Sequence, residues 1–190
     1  VTYLTGGTCP SSTTFSVTVT ALDDASFSYD ASSYCQDGSD PTPTITGTNG
    51  GGFTSTAGLI INAVSGTIDV AGSTPGPYTV TYLTVGTCPV SSTFDVTIDA
   101  LDDPSFNYSS ATYCQNESNP LPNELGTTGG TYSSTVGLAI TAGTGEIDLA
   151  GSTPGAYDVT YLTGGTCPSS TTFSVTITAL DDASFSYDAA

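Results

Sequence analysis

Hydrophobic and polar residues alternate strictly in two stretches near the middle of the chain. Residues 78–82 read YTVTY and residues 94–98 read FDVTI. Successive side chains of a strand point to opposite faces, so this period of two predicts two strands, each with one buried and one solvated face. Residues 84–90, which contain a Gly and a Pro, separate them. The pattern therefore predicts an antiparallel β-hairpin.

The predicted hairpin recurs along the chain. Residues 1–31 and 159–189 are the same string except that Val19 stands where the second copy has Ile177. The cysteines repeat with a step of 79 residues, in two series: Cys9, Cys88 and Cys167, and Cys35 and Cys114. A unit of this length with many short strands is typical of a small β-sandwich, because solenoid repeats are usually shorter. We predict an all-β fold of tandem Ig-like β-sandwich repeats, each of about 79 residues, arranged end to end.

The repeat also predicts the domain organisation. Residues 1–24 are expected to be the last two strands of a preceding repeat, 25–103 and 104–182 two complete repeats, and 183–190 the start of a following one. Seven short strands separated by turn signals are expected in each complete repeat. Ala-Leu-Asp-Asp, at 21–24, 100–103 and 179–182, continues the last strand without a Gly or Ser run. Such a linker predicts a short, stiff joint.

The charge balance excludes several classes of function. The chain has 18 acidic residues and no Lys, Arg or His. Binding to nucleic acid phosphates requires cations, and an anionic membrane surface would repel this chain, so neither is expected as a partner. No apolar run approaches the ~20 residues needed to span a bilayer, so membrane insertion is not expected. An activated nucleophile needs a base that the composition does not provide, so we predict that the protein is not an enzyme.

Cysteines at fixed repeat positions, without histidines, favour disulfides over metal sites and indicate an oxidising extracellular setting. One pairing joins cysteines within a repeat, Cys35 to Cys88 and Cys114 to Cys167, and leaves Cys9 to a partner outside the sequence. The alternative joins neighbours, Cys9 to Cys35 and Cys88 to Cys114. We expect the within-repeat pairing, because in an end-to-end stack the hairpin cysteine would lie away from the next repeat. Each such bond would contribute about 4 kcal/mol in the loop-entropy account.

The linker contains the remaining candidate site residues. Its acids are Asp23, Asp24, Asp102, Asp103, Asp181 and Asp182. Calcium is the one cofactor that these acids suggest, and it needs six to eight oxygen ligands. Adjacent residues of an extended strand point to opposite sides, so each pair supplies half a site, and solvated acids are the favoured alternative. The linker leucines are its only large apolar residues and are predicted to pack into a seam between repeats: Leu22, Leu101 and Leu180.

Several motifs of the first complete repeat resemble those of bacterial Ig-like repeats. They are CQDG at 35–38, PTITG at 43–47, GTIDV at 66–70, PGPYTVTY at 75–82 and GTCP at 86–89. Together they resemble the repeats of giant cell-surface proteins of the Bacteroidetes, and in particular the SprB-like gliding adhesin filaments secreted by the type IX system.

The resemblance implies a structural stalk or filament region of a very long adhesin, located outside the cell at its surface, with roles in adhesion and gliding motility. The implied partners are neighbouring repeats of the same chain and a surface polysaccharide or the substratum. The alternative function is a repeat that itself binds a ligand, such as a surface glycan, at the Gly-rich loops. Exposed aromatic residues in those loops would favour the alternative, whereas the aromatics of the strands alternate onto a core face.

Overall fold

The computed structural model describes residues 1–186, and its regular secondary structure there consists of β-strands alone. Residues 187–190 of the predicted following repeat lie outside the described residues. The chain divides into two compact units. Unit 1 comprises Val1–Tyr34 and Gly38–Ile98, and unit 2 comprises Cys35–Asp37 and the chain from Asp99 onward. The all-β prediction is confirmed, but Cys35–Asp37, which the sequence assigns to the repeat 25–103, belong to unit 2.

The strands follow the same order in both halves of the chain. A first hairpin consists of β1 (Thr2–Leu4) and β2 (Ser12–Thr14). The predicted first complete repeat contains β3 (Phe27–Ser28), β4 (Ser33–Cys35), β5 (Thr44–Ile45), β6 (Gly52–Ser55), β7 (Ile60–Ile61), β8 (Ile68–Asp69), β9 (Gly76–Leu83) and β10 (Ser91–Asp99). The second contains β11 (Phe106–Asn107), β12 (Thr112–Cys114), β13 (Asn123–Glu124), β14 (Thr131–Ser134), β15 (Ala139–Ile140), β16 (Ile147–Asp148), β17 (Gly155–Leu162) and β18 (Ser170–Thr178).

Each complete repeat contributes one four-stranded sheet and two short strand pairs. The strand order in the large sheets is β4-β10-β9-β6 and β12-β18-β17-β14. The short pairs are β3-β5 and β7-β8 in the first repeat, and β11-β13 and β15-β16 in the second. Strands β17 and β18 pair antiparallel, whereas β12 runs parallel to β18. The sequence did not predict β4 or β12, and these strands determine the position of two cysteines.

The central hairpin has the faces that its alternating pattern predicts. Val80 lies opposite Phe94, and Tyr78 lies opposite Val96. Val80 and Val96 are almost fully buried. Burying such a side chain is worth about 1.5–3 kcal/mol, so one face of the hairpin provides much of the core energy. The outward positions are polar, and the antiparallel prediction is confirmed.

Aromatic rings at the centre of each unit hold its two layers together. In unit 1 the rings of Phe53 and Tyr82 lie 4.6 Å apart between centroids, and Phe27 of the small sheet meets Phe53 edge-on at 5.5 Å. Such contacts add about 0.5–1.5 kcal/mol per pair beyond the buried area. Unit 2 repeats the arrangement with the same two distances, through Phe106, Tyr132 and Tyr161. Each unit is therefore a small sandwich with an aromatic core.

One turn in each repeat depends on glycine. Gly145 has φ of +69°, and a Cβ atom there would lie 2.7 Å from Cγ of Pro122. Its carbonyl accepts a hydrogen bond of 2.6 Å from the buried hydroxyl of Tyr108. Gly66 in the first repeat has φ of +74° and accepts the equivalent bond from Tyr29. A side chain at either glycine would meet both backbone strain and a packed neighbour.

Candidate functional site: the disulfide and its hairpin loop

Cys35 and Cys167 form a disulfide with an S–S distance of 2.01 Å and a Cα–Cα distance of 5.5 Å. The bond joins residues 132 positions apart, both of which belong to unit 2. The predicted repeat 25–103 contains Cys35, and the predicted repeat 104–182 contains Cys167. Cys9, Cys88 and Cys114 are free thiols. Both pairings that the sequence suggested, Cys35 with Cys88 and Cys114 with Cys167, or Cys9 with Cys35 and Cys88 with Cys114, are therefore wrong.

The two cysteines of one repeat cannot meet because they lie at opposite ends of the sandwich. Cys114 on β12 is the register partner of Thr178, at the end of β18. Cys167 lies in the loop before Ser170, where β18 begins. Eight strand steps at ~3.3 Å each separate these two levels by roughly 26 Å. A disulfide requires a Cα–Cα distance of about 4.4–6.8 Å, so a bond within the repeat is excluded by geometry.

The loop that carries Cys167 is fixed by a buried threonine. The Thr163 backbone N–H donates to the carbonyl of Ser169 at 2.9 Å, and the Ser169 N–H donates to Thr163 Oγ1 at 2.8 Å. Thr163 Oγ1 also lies within hydrogen-bond distance, 3.0 Å, of Asp102 Oδ2. The Asp102 N–H donates to the Cys167 carbonyl at 2.9 Å. Asp102 of the linker therefore holds the hairpin loop in place through both its carboxylate and its backbone N–H.

The two acids of each linker have different partners. Asp102 contacts the hairpin loop, whereas Asp103 Oδ1 accepts hydrogen bonds from the hydroxyl and the backbone N–H of Ser105. These bonds stabilise the carboxylate, first through the hydroxyl and then through the amide, and lower the pKa of Asp103. Ser26 lowers the pKa of Asp24 in the same way. The pKa of Asp182 is lowered chiefly by the backbone N–H of Ser184.

This division of roles does not fit a calcium shell. The carboxylates of Asp102 and Asp103 already accept hydrogen bonds from different segments of the chain, whereas calcium requires six to eight converging oxygens. Within residues 1–186, no group of three or more acidic, Cys or His side chains is placed to hold a metal ion. Binding of calcium at the linker acids stays a prediction from the sequence.

The linker leucines are exposed, and their packing into a seam between repeats stays a prediction from the sequence. Leu101 is 40% exposed, Leu180 56% and Leu22 73%. The reason is the alternation of an extended chain: Asp102 turns towards the hairpin loop, so the residue before it faces the opposite side. The hydrogen bonds of Asp102, rather than the hydrophobic burial of Leu101, hold this part of the linker in place.

The aromatic side chains of the complete repeats are directed into the cores. Among the described residues of the two complete repeats, every exposed large hydrophobic residue is aliphatic. The Tyr82 hydroxyl donates to the Thr48 carbonyl at 2.7 Å, and Tyr161 makes the equivalent bond to Thr127. Burial raises the pKa of Tyr34 to about 12, with a further contribution from its hydrogen bond to Asp30. These burial and hydrogen-bond contacts of the aromatics stabilise the fold.

Comparison with known proteins gives matches among solved structures only. No family model matches the chain, and no curated protein matches it. A crystal structure of mouse cadherin-23 EC22-24 matches with 16% identity and a TM-score of 0.34, covering 94% of this chain and 73% of that one. The protocadherin gammaB4 extracellular domain matches with 14% identity and a TM-score of 0.38, covering 88% of this chain and 37% of that one. These similarities carry no conclusion about function.

Human protocadherin-24 EC1-2 matches with 11% identity and a TM-score of 0.34, covering 85% of this chain and 100% of that one.

In the part of the chain that the structure describes, no helix is long and apolar enough to cross a membrane.

Proposed function

We propose that this chain is a stalk region of a very long secreted cell-surface adhesin and acts mechanically, as an acidic, disulfide-stapled fibre. One observation carries the proposal: the bond from Cys35 to Cys167 connects two consecutive sequence repeats. Disulfides persist in oxidising compartments, which supports a location outside the cell. A covalent bond between repeats limits the extension of the chain if one repeat unfolds, and it keeps the flanking pieces connected if a peptide bond between the two cysteines is cleaved. Adhesion and gliding motility follow from the sequence resemblance to the Bacteroidetes filaments.

The repeat boundaries are part of this proposal, with complete repeats at 25–103 and 104–182 flanked by parts of two more. The first 20 residues support it. Tyr3 and Val17 are 67% and 61% exposed, whereas their equivalents one period later, Tyr82 and Val96, are at most 1% exposed. This hairpin carries the same apolar face as a complete repeat, and a preceding repeat would cover it.

The alternative, a glycan-binding repeat, has less support. Aromatic side chains such as Tyr and Trp are enriched at binding interfaces, whereas the complete repeats expose only aliphatic residues among their large hydrophobics. The net charge of −18, with no cationic side chain, favours repulsion between neighbouring molecules. This charge is consistent with a fibre that keeps its separation from other fibres. A glycan array screened with the intact chain tests the alternative directly, since saturable binding there would support it against a purely mechanical role.

Protease cleavage tests whether the disulfide maintains continuity. The chain has three glutamates, at 117, 124 and 146, and all lie between the bonded cysteines. In denaturant, cleavage after glutamate should therefore leave residues 1–117 attached to 147–190 until a reductant is added. A Cys114→Ser variant should behave identically, whereas Cys35→Ser should release the two pieces without reductant. If the two pieces of the cleaved wild-type chain separate without reductant, the stapled-fibre proposal is refuted.

A further inference from the structure

We propose that Cys88 and Cys114 each form a further disulfide of the same type with a cysteine of an adjoining copy of the repeat. Cys114 would bond a hairpin-loop cysteine of the following repeat, and Cys88 would bond the cysteine equivalent to Cys35 in the preceding repeat. In the observed bond, the cysteine that ends β4 bonds the hairpin-loop cysteine of the following repeat. Cys114 ends β12 and is equivalent to Cys35; Cys88 lies in the hairpin loop and is equivalent to Cys167. The proposal deepens the stapled-fibre function and rests on it for the oxidising environment.

The loop around Cys88 already has the geometry of the bonded loop. The Asp23 N–H donates to the Cys88 carbonyl at 3.0 Å, as Asp102 does to Cys167 at 2.9 Å. Cys88 Sγ lies 4.0 Å from the Thr20 carbonyl oxygen, and Cys167 Sγ lies 4.0 Å from the equivalent oxygen of Asp99. The two loops therefore place sulfur in the same position, although only one of them is bonded.

The bonded loop differs from the free loop in the exposure of its sulfur. Cys167 is 1% exposed, whereas Cys88 is half-buried, because no second sulfur covers it. The Thr84 hydroxyl lies 2.9 Å from Asp23 Oδ2, matching the contact of 3.0 Å between Thr163 and Asp102. The loop is thus held by its own contacts before a disulfide forms. Little rearrangement is needed when a partner sulfur arrives.

Cys114 matches the other half of the observed bond. Gln115 N–H donates to the Thr178 carbonyl at 3.2 Å, as Gln36 N–H donates to the Asp99 carbonyl at 3.1 Å. In both places the cysteine before the glutamine is at the end of a short strand that pairs with the last long strand of its repeat. Cys114 is exposed and free. It can therefore receive the hairpin-loop cysteine of a following repeat as Cys35 receives Cys167.

The chemistry is thiol–disulfide exchange with a small-molecule disulfide as the oxidant. One thiolate attacks the oxidant and releases a small thiol, and the second thiolate then attacks the resulting mixed disulfide and releases another. The two protein thiols lose two electrons and two protons, and one small disulfide becomes two small thiols. The bonds so formed overlap, because Cys114 precedes Cys167 in the chain. Every peptide bond beyond Cys35 would then be bridged by at least one disulfide in a long array.

A tandem chain tests this pairing. Residues 1–158 can be followed directly by a second copy of residues 1–190, since the string that begins at Val159 is the string that begins at Val1. After oxidation with glutathione disulfide, cleavage before aspartate separates the relevant cysteines: Cys114 is on peptide 103–147 and Cys88 on peptide 69–94. We expect these two peptides to be linked. Replacing Cys88 by Ser in the second copy should abolish the link, and the same replacement in the first copy should leave it.

Counting thiols gives an independent result. The single chain has five cysteines and three free thiols, and the tandem has nine cysteines and should still have three. A tandem with more than three free thiols, or a link that survives replacement of the second copy's Cys88, would overturn the proposal. Such a result would leave the Glu cleavage experiment on the single chain unaffected, so failure of this pairing is distinguishable from failure of the fibre function.

Discussion

When the chain is pulled from its two ends, the disulfide should keep a long segment from extending, and reduction should release that length. While Cys35 and Cys167 are bonded, the residues between them cannot extend, because their ends are held 5.5 Å apart between Cα atoms. Reduction frees a segment of 132 residue steps. At ~3.3–3.6 Å per residue, the fully extended chain should gain roughly 440–480 Å. We expect this gain in a single-molecule force experiment when a reductant is added to the unfolded, oxidised chain.

The length of chain released on reduction distinguishes the possible pairings. Two bonds within repeats would each hide 53 residue steps and would release roughly 175–190 Å in each of two events. The measurement is best made on a chain with Cys9, Cys88 and Cys114 replaced by Ser, so that the bond cannot reshuffle. The matched control adds Cys35→Ser and should show the full length without reductant. Two short releases in the wild-type chain, or no release in the variant with two cysteines, would refute the structural assignment.

The same bond should also stabilise the folded state. Closing a loop of 132 residues is worth about 5 kcal/mol in the chain-entropy account, more than a loop of 53 residues would provide. Small sandwiches bury only about 60–70% of their chain surface, so a contribution of this size is large beside their total stability. Denaturant unfolding of the oxidised and reduced chain measures the difference. An equal midpoint in both states would contradict the entropic argument.

Three further predictions concern the turns, the tyrosines and the linker acids. Gly145→Ala should destabilise the protein by about 2–4 kcal/mol, because φ is +69° there and the Cβ atom would meet Pro122. The control is Gly143→Ala, whose Cβ atom would have no neighbour within 4 Å and which should be neutral or slightly stabilising. Denaturant unfolding measures both. Burial raises the pKa of Tyr108 above its usual 10.0, so its contribution to stability is fully present below pH 10 and is lost as the pH rises through the folded pKa. Ultraviolet titration should therefore show delayed ionisation of the buried tyrosines that coincides with alkaline unfolding; ionisation complete near pH 10 in the folded protein would contradict this. The hydrogen bonds from Ser105 lower the pKa of Asp103, so their contribution is present above the unfolded value of 3.8 and is lost as the pH falls through the folded pKa. Asp103→Asn should flatten the acid limb of the stability curve. Calcium binding at the linker acids has a separate test: a rise in the melting temperature on adding calcium would support it, and an unchanged melting temperature would contradict it.

The sequence by itself determined the period, the strand type and the core face of the long hairpin. These features are local: alternation over 78–82 and 94–98 is a direct consequence of the strand period, and the structure places Val80 and Val96 in the core as that period requires. The prediction that strand aromatics are directed inward follows from the same pattern. Repetition of the pattern at a fixed step also made the tandem organisation visible without any relative.

Only the tertiary structure decided how the cysteines pair. Strands β4 and β12 have three residues each, too few to show an alternating pattern, and their partners β10 and β18 lie far along the chain. Parallel strands pair through backbone groups that are the same for every residue, so the side-chain pattern does not indicate which strands pair. That pairing places Cys114 and Cys167 at opposite ends of one sandwich. The bond within the repeat that the sequence predicted would therefore have to span the length of the sandwich, which no disulfide can do.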